Sequence, residues 1–126
     1  MKLDLPPLVI NNSLHTFSPL FLFQFNNIKN IKKILKLVKQ QNSPFPNCTI
    51  LDTTKILSLF QIKVSCLKAL LNQFQNKMRT KSIYTEILLS FSKNTSISEA
   101  FNSFGVDGNT TSCIVIVQVD VYLFLL

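Results

Sequence analysis

The chain has 126 residues, of which 47% are hydrophobic, so it is long enough for about one domain with one modest core. Thirteen basic residues against six acidic ones give a formal net charge of +7, which makes an anionic partner such as RNA or a membrane surface plausible without choosing between them. With only two glycines, the sequence excludes the glycine-rich phosphate loops of P-loop and dinucleotide-binding proteins. Cys48, Cys66 and Cys113 are widely spaced and the only histidine is His15, a pattern that indicates neither a disulfide framework nor a metal site.

The apolar runs of the chain are short. Leu20 to Phe25 and Ile114 to Leu126 both fall below the ~18 residues that a membrane-spanning helix needs. The opening segment, MKLDLPP, places an aspartate and two prolines where a signal peptide requires an unbroken apolar stretch. We therefore expect a cytoplasmic and nuclear protein with no membrane partner.

The first part of the chain predicts a strand followed by a basic helix. Residues 14 to 25 are typical of a strand in which Pro19 belongs at the start or on an edge. Asn26 and Asn27 can cap a helix, and from Ile28 onward the apolar residues recur at helical spacing. The opposite face of this helix consists of lysines: Lys29, Lys32, Lys33, Lys36 and Lys39.

A short buried strand and a long helix are predicted next. After a break at Pro44 and Pro46, the segment Cys48 to Leu51 is β-branched and apolar enough for a buried strand. Asp52 and the two threonines that follow it offer helix caps, each of which contributes about 1 kcal/mol. The sequence therefore predicts that the long helix opens at this point.

The long helix has an unusually wide apolar arc. One stripe, which we expect to face the core, comprises Phe60, Val64, Leu67, Leu71, Phe74 and Met78. A second flank lies beside it and comprises Leu59, Ile62, Cys66, Ala69 and Leu70. A helix that packs on one core needs an apolar arc of only about 100°. Either the helix is sandwiched inside the domain, or the second flank meets a partner.

The second half of the chain predicts two further helices. The basic segment Lys77 to Lys81 leads into residues 83 to 91, whose apolar spacing fits a helix better than a strand. Ser96 and Glu99 have the spacing of a capping box, which predicts a short helix that carries Phe101 and its apolar neighbours.

The end of the chain completes the expected fold. Gly105 stands where the end of the short helix favours a left-handed residue, Asp107 and Gly108 indicate a turn, and Cys113 to Val119 is typical of a buried strand. The element order β-α-β-α-α-α-β predicts an α/β (α+β) fold in which helices pack on a small mixed sheet. With no internal repeat and no long linker, residues 1–126 are expected to form a single domain.

The sequence offers no recognisable catalytic arrangement. His15 has no nucleophile pattern around it, and the six carboxylates show no paired acid and base spacing. Glu86 is of interest because it lies within an apolar helix and needs a partner if it is buried. An ion pair with the segment Lys77 to Lys81 is the simplest interpretation. We therefore expect a protein that is not an enzyme and that uses no cofactor or metal.

The most specific signal is a series of short pieces spread over residues 59 to 117. They are Phe60-Gln61-Ile62, Lys68-Ala69, Lys77-Met78 with Arg79 and Thr80, Thr85-Glu86-Ile87, Ile97-Ser98-Glu99-Ala100, Phe104-Gly105-Val106, Asn109, Thr111-Ser112 and Ile114-Val115-Ile116-Val117. In order and spacing, without gaps, these pieces resemble the TPRKB family of PRPK-binding proteins.

The resemblance implies a scaffold whose chemistry resides in other subunits. Members of the TPRKB family belong to the KEOPS (EKC) complex, which makes threonylcarbamoyl-adenosine in tRNA. They bind the amino-terminal lobe of the small atypical kinase PRPK, tune its activity allosterically, and in archaeal relatives help hold the tRNA acceptor end.

Two sets of site residues follow from the resemblance as expectations. The second flank of the long helix becomes the expected kinase-binding surface, with Leu59, Ile62, Cys66 and Leu70. Weak tRNA contact without sequence preference is expected from Lys77, Arg79, Lys81, Lys29, Lys32, Lys33, Lys36 and Lys39. The alternative for these basic residues is a solvated lysine face without a ligand.

Three features depart from the family pattern. Leu67 stands where relatives tend to have a polar residue, and Thr54 to Ser58 looks like an insertion. Relatives continue with further strands and a final helix, so the domain is expected to lack the usual carboxyl-terminal third and to leave the strand Cys113 to Val119 as an apolar edge. Two other interpretations stay open: a stand-alone basic RNA-binding module that uses the lysine face of residues 29 to 39, and a non-functional fragment of such a gene.

Overall fold

Strands and helices follow one another in the predicted order, with one additional hairpin at the start. The computed structural model describes residues 1–10, 12–15, 19–39, 48–93 and 96–119. The strands are β1 (Leu8–Ile10), β2 (Ser13–His15), β3 (Leu20–Phe25), β4 (Thr49–Asp52) and β5 (Cys113–Gln118). The helices are α1 (Ile31–Lys39), α2 (Leu59–Phe74), α3 (Ile83–Ser90) and α4 (Ile97–Phe104), and a 3-10 turn covers Thr53–Lys55 between β4 and α2. The predicted α/β class is confirmed.

The strand expected over residues 14 to 25 is divided in the structure. Its first part, β2, pairs with β1 in a separate antiparallel hairpin in which Val9 lies opposite Leu14. Its second part, β3, belongs to the main sheet. Residues 16–18 between the two parts, the predicted break at Pro44 and Pro46, and the final segment 120–126 lie outside the described residues.

The main sheet has three strands in the order β3-β5-β4. Both outer strands pair with β5 in antiparallel fashion, so the expectation of a mixed sheet was wrong. The reason is topological: β3 and β4 run parallel to each other, but the last strand lies between them, so no parallel pair forms. The expectation that β5 would be an apolar edge was also wrong, because β5 is the central strand with a neighbour on each side. The Tyr84 hydroxyl also binds the end of β5, donating to the Gln118 carbonyl at 3.3 Å and accepting from its amide at 3.1 Å.

Helices cover both faces of this sheet. Successive residues of β5 point to opposite faces, as in any strand. Ile114 and Ile116 belong to the larger core, which is shared with α2, α3 and α4. Cys113 belongs to a smaller core, to which Val115 contributes and on which α1 packs through Ile31. The basic helix α1 therefore lies on the opposite side of the sheet from the other helices.

The long helix begins later than predicted and has well-defined ends. Asp52 and Thr54 do not open α2, because the Asp52 carboxylate accepts the Thr54 amide at 2.9 Å and so caps the 3-10 turn. Ser58 caps α2 instead: its hydroxyl accepts the Gln61 amide at 3.2 Å, and the Gln61 side chain accepts the Leu57 amide at 2.7 Å. This pair is a variant of the capping box.

A left-handed asparagine ends α2. Asn76 has φ of 55°, and the Lys77 amide donates to the Asn72 carbonyl at 2.7 Å while the Asn76 amide donates to the Gln73 carbonyl at 3.3 Å. This is the Schellman arrangement, in which asparagine can replace the usual glycine.

Gly105 does not have the predicted left-handed conformation. Its φ of −79° and ψ of 171° are extended backbone. A Cβ atom at this position would lie 2.6 Å from the Phe101 carbonyl oxygen, closer than real Cβ atoms approach backbone. The glycine is therefore required by a close approach between the end of α4 and the following chain, and not by a left-handed turn.

Candidate partner-binding surface

The inner face of α2 contains three of the four residues that were predicted to bind the kinase. Ile62 is 2% exposed, Cys66 is fully buried and Leu70 is 1% exposed. All three lie in the larger core together with α3 and the sheet. Their assignment to a partner-facing flank was wrong, because the small side chains of Ser65 and Ala69 between them let the neighbouring elements approach this side closely. Burial raises the pKa of the Cys66 thiol to about 12, so this cysteine is an inert core residue.

The outer face of α2 is apolar and faces away from that core. Phe60 is 74% exposed and Phe74 is 45% exposed, and the side chains between them are half-buried. Both phenylalanines were expected in the core, so that expectation was also wrong. We define the outer face of α2 as Phe60, Val64, Leu67, Leu71 and Phe74. Of the predicted kinase-binding residues, only Leu59, 41% exposed, is accessible.

A buried carboxylate fixes the connection between α2 and α3. Glu86 is fully buried, and its two oxygens accept hydrogen bonds from the Asn72 side chain at 3.1 Å, the Arg79 amide at 3.0 Å and the Thr80 amide at 3.1 Å. The Arg79 Nε and the Thr80 hydroxyl add bonds of 3.3 Å and 3.0 Å. Burial opposes ionisation of Glu86, but these bonds and the Arg79 charge outweigh it and lower the pKa of the carboxyl group. The predicted ion pair with the basic segment is present and is structural.

The predicted basic residues do not form one surface. Lys77 and Lys81 are exposed beside the Glu86 centre, whereas the Arg79 side chain is 41% exposed and is partly used by Glu86. The exposed lysines of the amino-terminal part lie on or just before α1, on the opposite side of the sheet: Lys29, Lys32, Lys33 and Lys36. The side chain of Lys39 is outside the described part of the chain.

The structure also exposes aromatic residues that the sequence analysis did not single out. Phe23 is 46% exposed and Phe25 is 52% exposed, on the face of β3 that carries neither Leu20 nor Leu22. They lie opposite Val115 and Cys113 of β5, which places them on the face covered by α1. The alternation of apolar residues along residues 20 to 25 could not reveal this exposure, because both faces of that strand are apolar.

A comparison with known proteins identifies the family. A model of the family described as kinase binding protein CGI-121 matches residues 25–121. The chain belongs to the CGI-121 family. Subunits of the EKC/KEOPS complex are among its relatives: CGI121 of Kluyveromyces lactis is 33% identical over 93 residues, which is 74% of this chain and 56% of the relative. The Schizosaccharomyces pombe subunit cgi121 is 32% identical over 99 residues, 79% of this chain and 56% of the relative.

A relative that carries the name TPRKB is similarly close. The EKC/KEOPS complex subunit TPRKB of Danio rerio is 33% identical over 91 residues, which is 71% of this chain and 52% of the relative. The resemblance to the TPRKB family is therefore confirmed. The chain spans about half the length of the curated relatives it matches.

Two further observations concern the described residues of this family member. Among them, no group of three or more histidine, cysteine, aspartate or glutamate residues is placed to hold a metal ion. None of their helices is both long enough and apolar enough to cross a membrane.

Proposed function

We propose that the chain is a non-catalytic regulatory subunit of a KEOPS (EKC) complex. In this role it binds a PRPK-like atypical kinase and supports threonylcarbamoyl-adenosine modification of tRNA, in the cytoplasm and nucleus. The proposal is supported by the family description and by the names of the relatives. The observation that carries it is the outer face of α2, which leaves two phenylalanines exposed on a helix whose other face is already buried.

The outer face of α2 has the dimensions of a helix that docks into a groove. From Phe60 to Phe74 the helix rises about 21 Å at 1.5 Å per residue. Lys63, half-buried, and Lys68, exposed, are charged residues near this apolar stripe. An apolar centre with charge at its rim is the composition of a protein interface, and helix-in-groove recognition uses anchors at this spacing.

The buried acidic groups support a role without catalysis. Glu86 and Asp52 are 0% and 4% exposed, and hydrogen bonds hold both in the ionised form. For Asp52, burial again opposes ionisation, but bonds from Thr110 and Thr54 and the Lys55 charge outweigh it and lower its pKa. A general base needs a pKa near the working pH and access to a substrate, and neither carboxylate has these properties.

The test is binding of the cognate PRPK-like kinase to the full chain and to two variants, Phe60→Glu and Leu67→Glu, by calorimetric titration. We expect wild type to form a one-to-one complex and each variant to lose affinity by about tenfold or more, because a carboxylate in an apolar interface lacks a partner. Phe25→Glu is the matched control, since Phe25 is 52% exposed on β3 and lies outside α2. Absence of any complex with wild type would refute the proposal.

A second candidate is direct contact with tRNA, as part of the complex or as a stand-alone RNA-binding module. It is favoured by the exposed Phe23 and Phe25, since aromatic side chains can stack on bases, together with the exposed lysines at 29, 32, 33 and 36. The logarithm of the tRNA affinity should then decrease linearly with the logarithm of the salt concentration, with a slope of about 0.7 for each single-strand phosphate contact. If the isolated chain binds tRNA, and if adding the kinase does not change its tRNA affinity, the stand-alone module is favoured over the complex subunit.

A further inference from the structure

The turn that precedes α2 presents an exposed leucine. Leu57 is 89% exposed, whereas Ile56 beside it packs against the larger core. Leu59 and Phe60 follow at 41% and 74% exposure, so the apolar surface continues from the turn onto the outer face of α2. A single exposed leucine is ordinary in a folded protein. Its continuity with two further exposed apolar side chains makes this one a candidate for binding.

The backbone on the amino-terminal side of Leu57 is held by side chains from two directions. The Asp52 carboxylate accepts the Thr54 hydroxyl at 2.7 Å as well as the Thr54 amide. The Lys55 ammonium group donates to the Gly105 carbonyl at 2.9 Å and pairs with the Asp107 carboxylate at 3.1 Å. The Asp52 bonds order the 3-10 turn itself, and the Lys55 contacts attach it to the loop that follows α4.

The backbone on the carboxyl-terminal side is held by the cap of α2. The Leu57 amide itself donates to the Gln61 side chain at 2.7 Å, and the Ser58 hydroxyl accepts the Gln61 amide. Leu57 is therefore exposed on a turn that is fixed at both ends. Because the backbone of this turn is already ordered, it loses little conformational entropy when the Leu57 side chain binds, which increases the affinity gained from burying that side chain.

The charge pattern indicates what kind of partner fits. The chain carries a net charge of +7, yet residues 56 to 62 contain no charged side chain. Of the cations that flank this segment, Lys55 is paired with Asp107, and Lys63, half-buried, lies about one helical turn beyond Leu59 and Phe60 at the rim of the patch. Nucleic acid is bound through lysine and arginine, which this patch lacks, whereas the centres of protein interfaces are depleted in charge.

We propose that Leu57, with Leu59 and Phe60, forms an apolar anchor that inserts into an uncharged pocket of the kinase partner. The docking surface then extends from the outer face of α2 onto the turn before it. This inference rests on the proposed function, because it takes the partner to be the kinase. Leu57 precedes the helix, so the spacing of apolar residues within α2 could not indicate that Leu57 binds the kinase.

The experiment measures kinase affinity and thermal unfolding for the full chain and for Leu57→Glu. We expect the kinase affinity to fall by about 10- to 30-fold, the range for an interface anchor, with an unchanged unfolding temperature. Leu14→Glu is the matched control, because Leu14 is 66% exposed on the β1–β2 hairpin and undergoes the same substitution. The control should bind the kinase like wild type.

The outcomes separate this inference from the proposed function. If Leu57→Glu binds with wild-type affinity while Phe60→Glu does not, the inference is overturned and the proposed function stands. If the wild-type chain binds no kinase, both are overturned. A second copy of the chain is the alternative occupant of this patch, and sedimentation of the same proteins tests it. If Leu57→Glu abolishes self-association but leaves the kinase affinity unchanged, Leu57 forms a contact between copies of the chain and the inference is overturned.

Discussion

The two faces of α2 are both apolar at helical spacing, yet one is core and the other is surface. The inner face contains Ile62, Ser65, Cys66, Ala69 and Leu70, all 4% exposed or less. The outer face contains Phe60, Val64, Leu67, Leu71 and Phe74. Hydrophobic spacing predicts the helix but does not distinguish these faces, because the arc of apolar residues includes both.

Side-chain size distinguishes them better. Three of the five inner residues are small, which allows close packing against α3 and the sheet. The outer face has a phenylalanine near each end, and large aromatic side chains are typical of interface anchors. A helix with small apolar side chains on one face and aromatic side chains on the other is therefore indicated to pack on the core through the first face and to bind a partner through the second.

The strongest test of this comparison is a charge on each face. Ile62→Glu places a carboxylate in a core position that is 2% exposed and offers no partner, which should cost about 4 kcal/mol or more and unfold the protein. Phe60→Glu should leave the fold intact, since its carboxylate stays hydrated in the first turn of α2, where negative charge is favourable. Circular dichroism and thermal unfolding of the two variants measure the difference. An Ile62→Glu protein with wild-type stability would reverse the assignment of the faces.

A milder pair compares neighbouring leucines. Leu70→Ala removes a side chain that is 1% exposed and should lower the free energy of unfolding by about 2–5 kcal/mol through transfer and cavity terms. Leu71→Ala, on the half-buried outer face, should cost about 1 kcal/mol or less. Urea denaturation of both variants gives the two values, and equal losses would contradict a core confined to the inner face.

The connection after α2 should depend on the charge of Glu86. Because the pKa of this carboxyl group is lowered in the folded state, its contribution to stability is fully present above the ordinary glutamate pKa of about 4.3 and is lost as pH falls through the folded pKa. Asp52 acts in the same direction. Glu86→Gln should lower the free energy of unfolding by about 1–3 kcal/mol at pH 7, because the glutamine side chain has only one acceptor oxygen and cannot accept hydrogen bonds from all the donors.

The same variant provides the control for the pH dependence. Urea midpoints measured between pH 7 and pH 3 should fall less steeply for Glu86→Gln than for wild type, because one of the titrating groups is gone. Identical slopes for the two proteins would show that Glu86 has a similar pKa in the folded and unfolded chains.

The smallest expected effect concerns the start of α2, which both faces share. Ser58→Ala removes the hydroxyl that accepts the Gln61 amide and should cost about 1 kcal/mol, whereas Ser58→Asp, which keeps the acceptor, should be close to neutral. Chemical denaturation of the two variants checks this. A neutral Ser58→Ala would place the effective start of the helix elsewhere.

Local sequence by itself determined the secondary structure of most of this protein. The predicted helices over residues 83 to 91 and from Ile97 agree with α3 and α4, and Cys113 to Val119 agrees with β5. Periodicity and capping are properties of neighbouring residues, so they can be read from the chain. The resemblance to the TPRKB family likewise depended on short pieces in order, and the match to the CGI-121 family confirmed it.

Only the tertiary structure decided which surfaces are free. The position of β5 at the centre of the sheet, the separation of the two basic groups by that sheet, and the inward side of α2 all depend on contacts between residues far apart in sequence. Glu86 shows both contributions. The sequence indicated that this carboxylate needs a partner, but its five hydrogen bonds form only when α2, α3 and their connection fold together. A face of a helix is buried only if other elements pack on it. When both faces are apolar, the positions of the other elements therefore determine which face is buried.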